Sequence, residues 1–195
     1  MKNKKITQFL QSFVAIPLFA TTLPFAGVTA IQNQTVAIRQ DISQITTSLI
    51  TPEEAKIREE RAKAIDDFFE SRNAPLAGYG RKFVDEAIKH DLDWRLLAAI
   101  SLRESTGGIN ACKNPKAPNN SFGWFSCKKG FSSVDASIEH ISKTLGGNNE
   151  NAPYYKKEMN TTQILKKYNP DSIVPGYSKQ VVRIMKMIDD KEEVI

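Results

Sequence analysis

A mainly α-helical domain over residues 51–190 is what the chain's patterning predicts. Apolar residues recur at helical spacing in six segments, several opened by capping residues and closed by glycines. Strand signals are few, and no internal repeat is present. The one long interruption, residues 109–131, is rich in Asn, Pro, Gly and Ser and reads as a long loop or a short β-hairpin. At 195 residues the chain can hold one medium domain with its own core, plus tails.

The first helix starts at Thr51, a good N-cap, with Pro52 in the first helical position and Glu54 completing a capping box. Ile57, Ile65, Phe68 and Phe69 give it a partial apolar face. The stretch "NAPLAGYG", Asn73 to Gly80, reads as a turn, and "RKFVDEAIKH" as a second helix with Phe83, Val84, Ala87 and Ile88 on one side. The third helix, "WRLLAAISLRESTGG", is apolar nearly all round and stops on Gly107 and Gly108. "SSVDASIEHISKTLGG" is amphipathic through Val134, Ile138, Ile141 and Leu145, with Ser132 and Asp135 as a capping pair. Thr161 or Thr162 opens a short helix that "NPDSIVPGY" breaks after Tyr168. A last helix runs from about Ser178 to Asp190, with Val181, Ile184, Met185 and Ile188 inward.

The hydrophobic fraction of 41% and charged fraction of 25% are ordinary for a globular chain. The formal charge is +5, but residues 1–30 carry three lysines (Lys2, Lys4, Lys5) and no acid, so without them it falls to +2. That charge, with no basic cluster interleaved with aromatics, argues against a nucleic-acid partner. The first thirty residues read as an export signal: a positive "MKNKK", an apolar "FLQSFVAIPLFA" and a small-residue "VTA" cleavage site ending at Ala30. The competing reading is an uncleaved N-terminal membrane anchor, which Gln11, Pro17, Pro24 and the Thr21-Thr22 pair make a poor continuous span. Either way the remainder is exported: secreted, periplasmic or at the cell surface. Residues 31–50 are polar and weakly periodic, a linker.

In an oxidising compartment Cys112 and Cys127, the only two cysteines, read as a disulfide closing the long loop. Such a closure is worth about 3 kcal/mol on the chain-entropy model. A zinc site is the rival, but only His90 and His140 could join the cysteines, at no finger-like spacing.

Glu104 is the residue of chemical interest. On the third helix it lies one turn beyond Ile100 and two beyond Leu97, on the stripe that the core residues occupy. A carboxyl at the end of such a stripe is partly desolvated, which favours its neutral form. That is the state a general acid needs to protonate a glycosidic oxygen. The competing reading is a solvated helix-end glutamate tied to Arg103 or Lys113. Aromatics supply sugar platforms if exposed: Phe122 and Trp124 read equally as platform or core. Tyr154 and Tyr155 follow the exposed loop "NNENAP", and Tyr168 and Tyr177 lie in or beside loops. Asp135, Glu139 and Asp171 are unconvincing as a second carboxylate. A 2-acetamido group on the substrate could serve as nucleophile instead, oriented by Asn169 or Tyr168.

The segments "LLAAISLRESTGG", "NNSFGW", "FSSVDASIEHISKTL" and "YNPDSIVPGYSKQV", in that order, resemble the glucosaminidase (mannosyl-glycoprotein endo-β-N-acetylglucosaminidase-like) domain of the lysozyme-like superfamily, which also holds the lytic transglycosylases. The resemblance covers roughly Tyr79 to Ile188. It implies a lysozyme-like helical fold with a cleft loop after the catalytic helix, and Glu104 as catalytic acid. Asn120, Phe122 and Gly123 match an N-x-F-G segment across the cleft. Phe131, Ser133, Ser137 and Ile138 match an aromatic-led helix, and Gly176, Tyr177 and Val181 a terminal G-Y-x-x-x-V. Implied partners are peptidoglycan or a related N-acetylglucosamine glycan; no metal and no cofactor are implied. Trp124-Phe125 departs from the aliphatic-lysine pair usual after the Phe-Gly step, and Arg103 stands where an apolar residue, Gln or Glu is commoner before the acid. Lys167-Tyr168-Asn169 is similar to the Tyr-Asn step of the transglycosylases, so hydrolysis and transglycosylation both stay open.

N-terminal sequencing of exported protein should return a chain beginning near Ile31. A start at Met1 or Lys2, with the protein fractionating with membrane, would favour the anchor.

Overall fold

The computed structural model describes residues 50–189. The signal or anchor segment and all but the last residue of the expected linker lie outside them. Six α-helices follow in order: α1 (Pro52–Glu70), α2 (Gly80–Lys89), α3 (Leu96–Ser105), α4 (Val134–Leu145), α5 (Thr161–Tyr168) and α6 (Tyr177–Asp189). No strand occurs among the described residues, so the fold is mainly α, and the stretch between α3 and α4 is a loop with one short turn, Trp124–Cys127, whose backbone is left-handed from Phe125 on. None of these helices is long and apolar enough to cross a membrane.

The α1 start is as the sequence implies. The Thr51 hydroxyl accepts the Glu54 N–H at 3.2 Å, and the Glu54 carboxylate accepts the Thr51 N–H at 3.0 Å. Burial begins only in the second half, at Ala62, Ile65, Phe68 and Phe69, while Ile57 is half-buried. Nothing on α2 itself caps its N-terminus, so α1 supplies the acceptor: Asp66 Oδ1 takes the Gly78 and Gly80 N–H groups at 2.8 Å each. The two helices meet so closely there that a Cβ on Gly80 would stand 2.1 Å from the Ala62 carbonyl oxygen.

The core forms around α3, whose residues Leu96 through Ser101 are all buried. It packs along α6 and is flanked by α2 and α4, whose apolar stripes (Phe83 and Val84; Ile138, Ile141 and Leu145) close over it. Fully burying side chains of this size contributes about 1.5–3 kcal/mol each. Arg95 at the head of α3 bridges Asp93 at 2.8 Å and Asp189 on α6 at 2.7 Å, fixing the register of the pair. The other end of α3 leaves the helix through left-handed backbone at Thr106 (φ 56°), Gly107 (64°) and Gly108 (99°).

At two helix starts the capping residue differs from expectation. Ser133, not Ser132, caps α4, its hydroxyl accepting the Ala136 N–H at 3.0 Å. Asn160, not a threonine, caps α5 through a capping box with Gln163. In both cases the side chain that reaches the third following N–H decides, and neighbouring serines and threonines look alike in sequence.

Cys112 and Cys127 are joined, with Cα atoms 5.4 Å apart. With no strand ladder, residues 106–133 are ordered by the bridge, by side-chain-to-backbone hydrogen bonds and by isolated backbone pairs such as Cys112 N–H to the Asn120 carbonyl (3.1 Å) and Phe131 N–H to the Pro118 carbonyl (2.9 Å). Intact-mass analysis with alkylation should reveal two thiols only after reduction. Two free thiols in protein recovered from an oxidising compartment would contradict the bridge.

Candidate active site

Glu104 occupies the last turn of α3 and is half-buried. Its carboxylate is held from two sides. The Tyr177 hydroxyl, at the start of α6, donates to Oε1 at 2.6 Å. On the other side the loop backbone at Gly123 comes so near that a Cβ there would stand 2.9 Å from Oε2. Gly123 also has φ 62°, so both its conformation and the approach of the carboxylate require glycine. Among the described residues Glu104 forms no ion pair, with Arg103 and Lys113 or otherwise. Arg103 turns away, its Nε donating to Gln180 Oε1 at 2.7 Å and its guanidinium lying 5.8 Å from the Tyr177 ring centre.

The next residue explains how the loop is brought back to the helix end. Buried Ser105 donates through Oγ to the Ser121 carbonyl at 2.7 Å, with the Ser101 carbonyl at 3.0 Å, and accepts the Gly108 N–H at 3.0 Å. One hydroxyl thus ties the helix, its terminating turn and the strand of loop that carries Gly123. Sequence reading passed over Ser105, although its place directly after Glu104 and before the terminating glycines was the available signal.

Tyr177 is fully buried, so it offers a sugar no face; its role is the hydroxyl on Glu104. Burial first, then the Glu104 charge, pushes the phenol far above its ordinary range, so it stays a donor. Tyr168 stacks on it, ring centres 6.1 Å apart and planes 8° from parallel. Burial and the same Glu104 charge hold Tyr168 neutral as well, and its hydroxyl donates to the Phe122 carbonyl at 2.5 Å. Tyr168 as a residue is half-buried.

The expected contacts of the long loop are mostly internal. Asn120 is fully buried: its Oδ1 accepts the Phe122 and Trp124 N–H groups at 3.2 and 3.0 Å, and its Nδ2 donates to the Trp124 and Lys129 carbonyls at 3.0 and 2.8 Å. Both donors and both lone pairs of the amide are spent on the loop, so Asn120 shapes the site and does not face a ligand. Phe122 and Trp124, at 1% and 8% exposure, belong to the core rather than to a platform. Trp124 packs against Tyr168 at 5.7 Å between ring centres, and its buried indole N–H finds no acceptor among the described residues.

Of the remaining candidates, Tyr155 is buried and Tyr154 exposed, their ring centres 5.0 Å apart. Tyr155 lines a 470 Å³ cavity with Asn148, Glu150 and Lys157, in the connection between α4 and α5. Asn169, the half-buried C-cap of α5, makes no side-chain hydrogen bond to another described residue. Asp135 and Glu139 are exposed on α4, and Asp171 is exposed with its Oδ1 accepting the Gly176 N–H at 3.1 Å. No three of the described His, Cys, Asp and Glu side chains converge as a metal site.

The structure therefore brings together Glu104, Gly123, Tyr168 and Tyr177, with Asn120, Phe122 and Trp124 as the packed support behind Gly123. No family model, no curated protein and no solved structure matches the chain.

The Gly123–Glu104 contact is open to a double-mutant cycle. Gly123→Ala should lower stability by about 1–3 kcal/mol through strained backbone and steric conflict. Adding Glu104→Ala, which empties the space the new methyl needs, should recover part of that loss in chemical denaturation. Strictly additive costs would contradict the contact.

Proposed function

We propose that the chain is an exported glycosidase that cleaves β-1,4 bonds of N-acetylglucosamine-containing glycan, most directly peptidoglycan, with Glu104 as its single general acid/base. The observation that carries this is the grip on one carboxylate at the end of a buried helix. Tyr177 fixes one oxygen, while Gly123 leaves no side chain between the other oxygen and the loop. Positioning of this kind is what proton transfer in a transition state rewards.

Glu104 gives its proton to the glycosidic oxygen as the bond to the anomeric carbon breaks. The substrate's own 2-acetamido oxygen closes on that carbon, and the resulting carboxylate then takes a proton from the water that opens the ring. Tyr177 remains a hydroxyl through both steps and keeps the carboxyl in place while its charge changes. Asn169, whose amide is uncommitted among the described residues, is the group for orienting the acetamide. The lysozyme-like, glucosaminidase-type resemblance supports the same substrate class.

A lytic transglycosylase is the second reading. It is favoured by one specific feature: among the described residues Glu104 is hydrogen-bonded to a tyrosine and to no second carboxylate, and Tyr168, stacked on that tyrosine, is followed by Asn169. In that case the muramyl C6 hydroxyl takes the place of water, and one acid/base residue again suffices.

Glu104→Gln retains an oxygen for the Tyr177 hydroxyl but has no proton to transfer. Turnover on purified peptidoglycan should fall by roughly 10²–10⁴-fold, with the melting temperature little changed and glycan-strand binding intact. Wild-type-like rates in Glu104→Gln would refute the assignment. A folded wild type that binds glycan strands and releases nothing would make this a wall-binding module instead.

A further inference from the structure

We propose that Phe125 is a stacking platform for a sugar ring of the glycan strand, held outward beside Glu104 by a left-handed turn that the Cys112–Cys127 bridge and Asn120 clamp. The proposal rests on the glycosidase reading and adds to it a residue that sets substrate affinity.

A single exposed apolar side chain is unremarkable in itself. Phe125 differs in how it is exposed. It is 60% accessible, more than Tyr154 at 48%, the other exposed aromatic of the described residues. Its neighbour Trp124 turns inward at 8%, and the two rings meet edge to face with centres 5.6 Å apart. What separates them is the backbone: Phe125, Ser126 and Cys127 have φ of 52°, 51° and 58°. Three successive residues bearing a Cβ in the left-handed region are sterically disfavoured, and none is the Gly or Asn that tolerates it.

Such a run persists only where its surroundings over-determine it, and strain of this kind gathers at functional sites. Here the restraints stand on both flanks. Asn120 Nδ2 donates to the Trp124 carbonyl at 3.0 Å before the run and to the Lys129 carbonyl at 2.8 Å after it. Asn114 Nδ2 donates to the Cys127 carbonyl at 3.1 Å, and Cys127 is itself tied to Cys112. The result is an exposed apolar ring whose one aromatic neighbour among the described residues is Trp124.

Its location gives the ring a use. Gly123, two residues earlier, abuts the Glu104 carboxylate. Successive Cα atoms are about 3.8 Å apart, so the Phe125 Cα lies within about 7.6 Å of the Gly123 Cα. A pyranose in a β-1,4 glycan presents a face of axial C–H groups, and a flat, rigid aromatic covers that face with little entropy lost. Trp124 packs against both Phe125 on the loop and Tyr168 on α5, with ring centres 5.6 and 5.7 Å away.

The test is a comparison of wild type, Phe125→Ala and Phe125→Trp on soluble glycan strands prepared from peptidoglycan, with KM, kcat and direct binding measured. Phe125→Ala should raise KM about five- to tenfold, with kcat and melting temperature nearly unchanged because the ring is exposed, and Phe125→Trp should restore KM. Reduction of the bridge should raise the wild-type KM by a similar factor and add little in Phe125→Ala. An unchanged KM in Phe125→Ala, beside a wild type that turns over, overturns the platform alone. If the wild type binds strands without cleaving them, a matching loss of binding in Phe125→Ala upholds the platform while the glycosidase reading falls. A wild type that neither binds nor cleaves overturns both.

Discussion

The 2.6 Å hydrogen bond from Tyr177 to Glu104 joins the end of α3 to the beginning of α6, and the functional architecture depends on it. α3 is buried through Ser101, and a helix of that kind has no natural reason to end on a carboxylate. The carboxylate is tolerable because the helix terminates one residue later and because a permanent donor meets it there. The pairing also demands that α6 run along α3, and the Arg95–Asp189 bridge spans the same two elements at the opposite end. Charged and polar contacts thus fix both ends of a helix pair whose middle is held by apolar packing.

The loop between α3 and α4 solves a different problem. It must present backbone to Glu104 without the hydrogen-bonded ladder that a strand would supply. Ser105 and Asn120 stand in for that ladder, each satisfying several backbone groups from a buried position. The disulfide closes the same segment, reducing the conformations open to it when unfolded. Losing either polar residue would leave buried carbonyl or N–H groups without partners, a larger penalty than the hydrogen bonds themselves are worth.

Much of this was legible in the chain. The Thr51 capping box, the apolar stripes of α2, α4 and α6, the glycine stop after Ser105 and the pairing of the two cysteines are local or compositional, and each has one dominant physical cause. Glu104 was legible because a carboxylate on an apolar stripe contradicts its surroundings. Exposure of the aromatics was not. Phe122, Trp124, Tyr155 and Tyr177 carry surfaces that suit a sugar or a core equally, and which they meet depends on how the loops close over α3. Phe125 gave still less signal, since nothing in "GWFSC" announces three left-handed residues; that conformation comes from the restraints on either side. The capping differences at Ser133 and Asn160 have the same origin, for the choice among adjacent capping residues is made by where the chain enters the helix.

On the proposed reading, one carboxyl group, positioned by a tyrosine and a glycine, breaks a glycan chain. The most direct measurement is mass spectrometry of the products after purified peptidoglycan is digested with the disulfide-bonded protein. The account predicts fragments ending in N-acetylglucosamine, each cleavage adding the mass of one water. Anhydromuramyl ends lacking that water would transfer the same residues to transglycosylation, and the absence of any released sugar from folded protein would contradict the account.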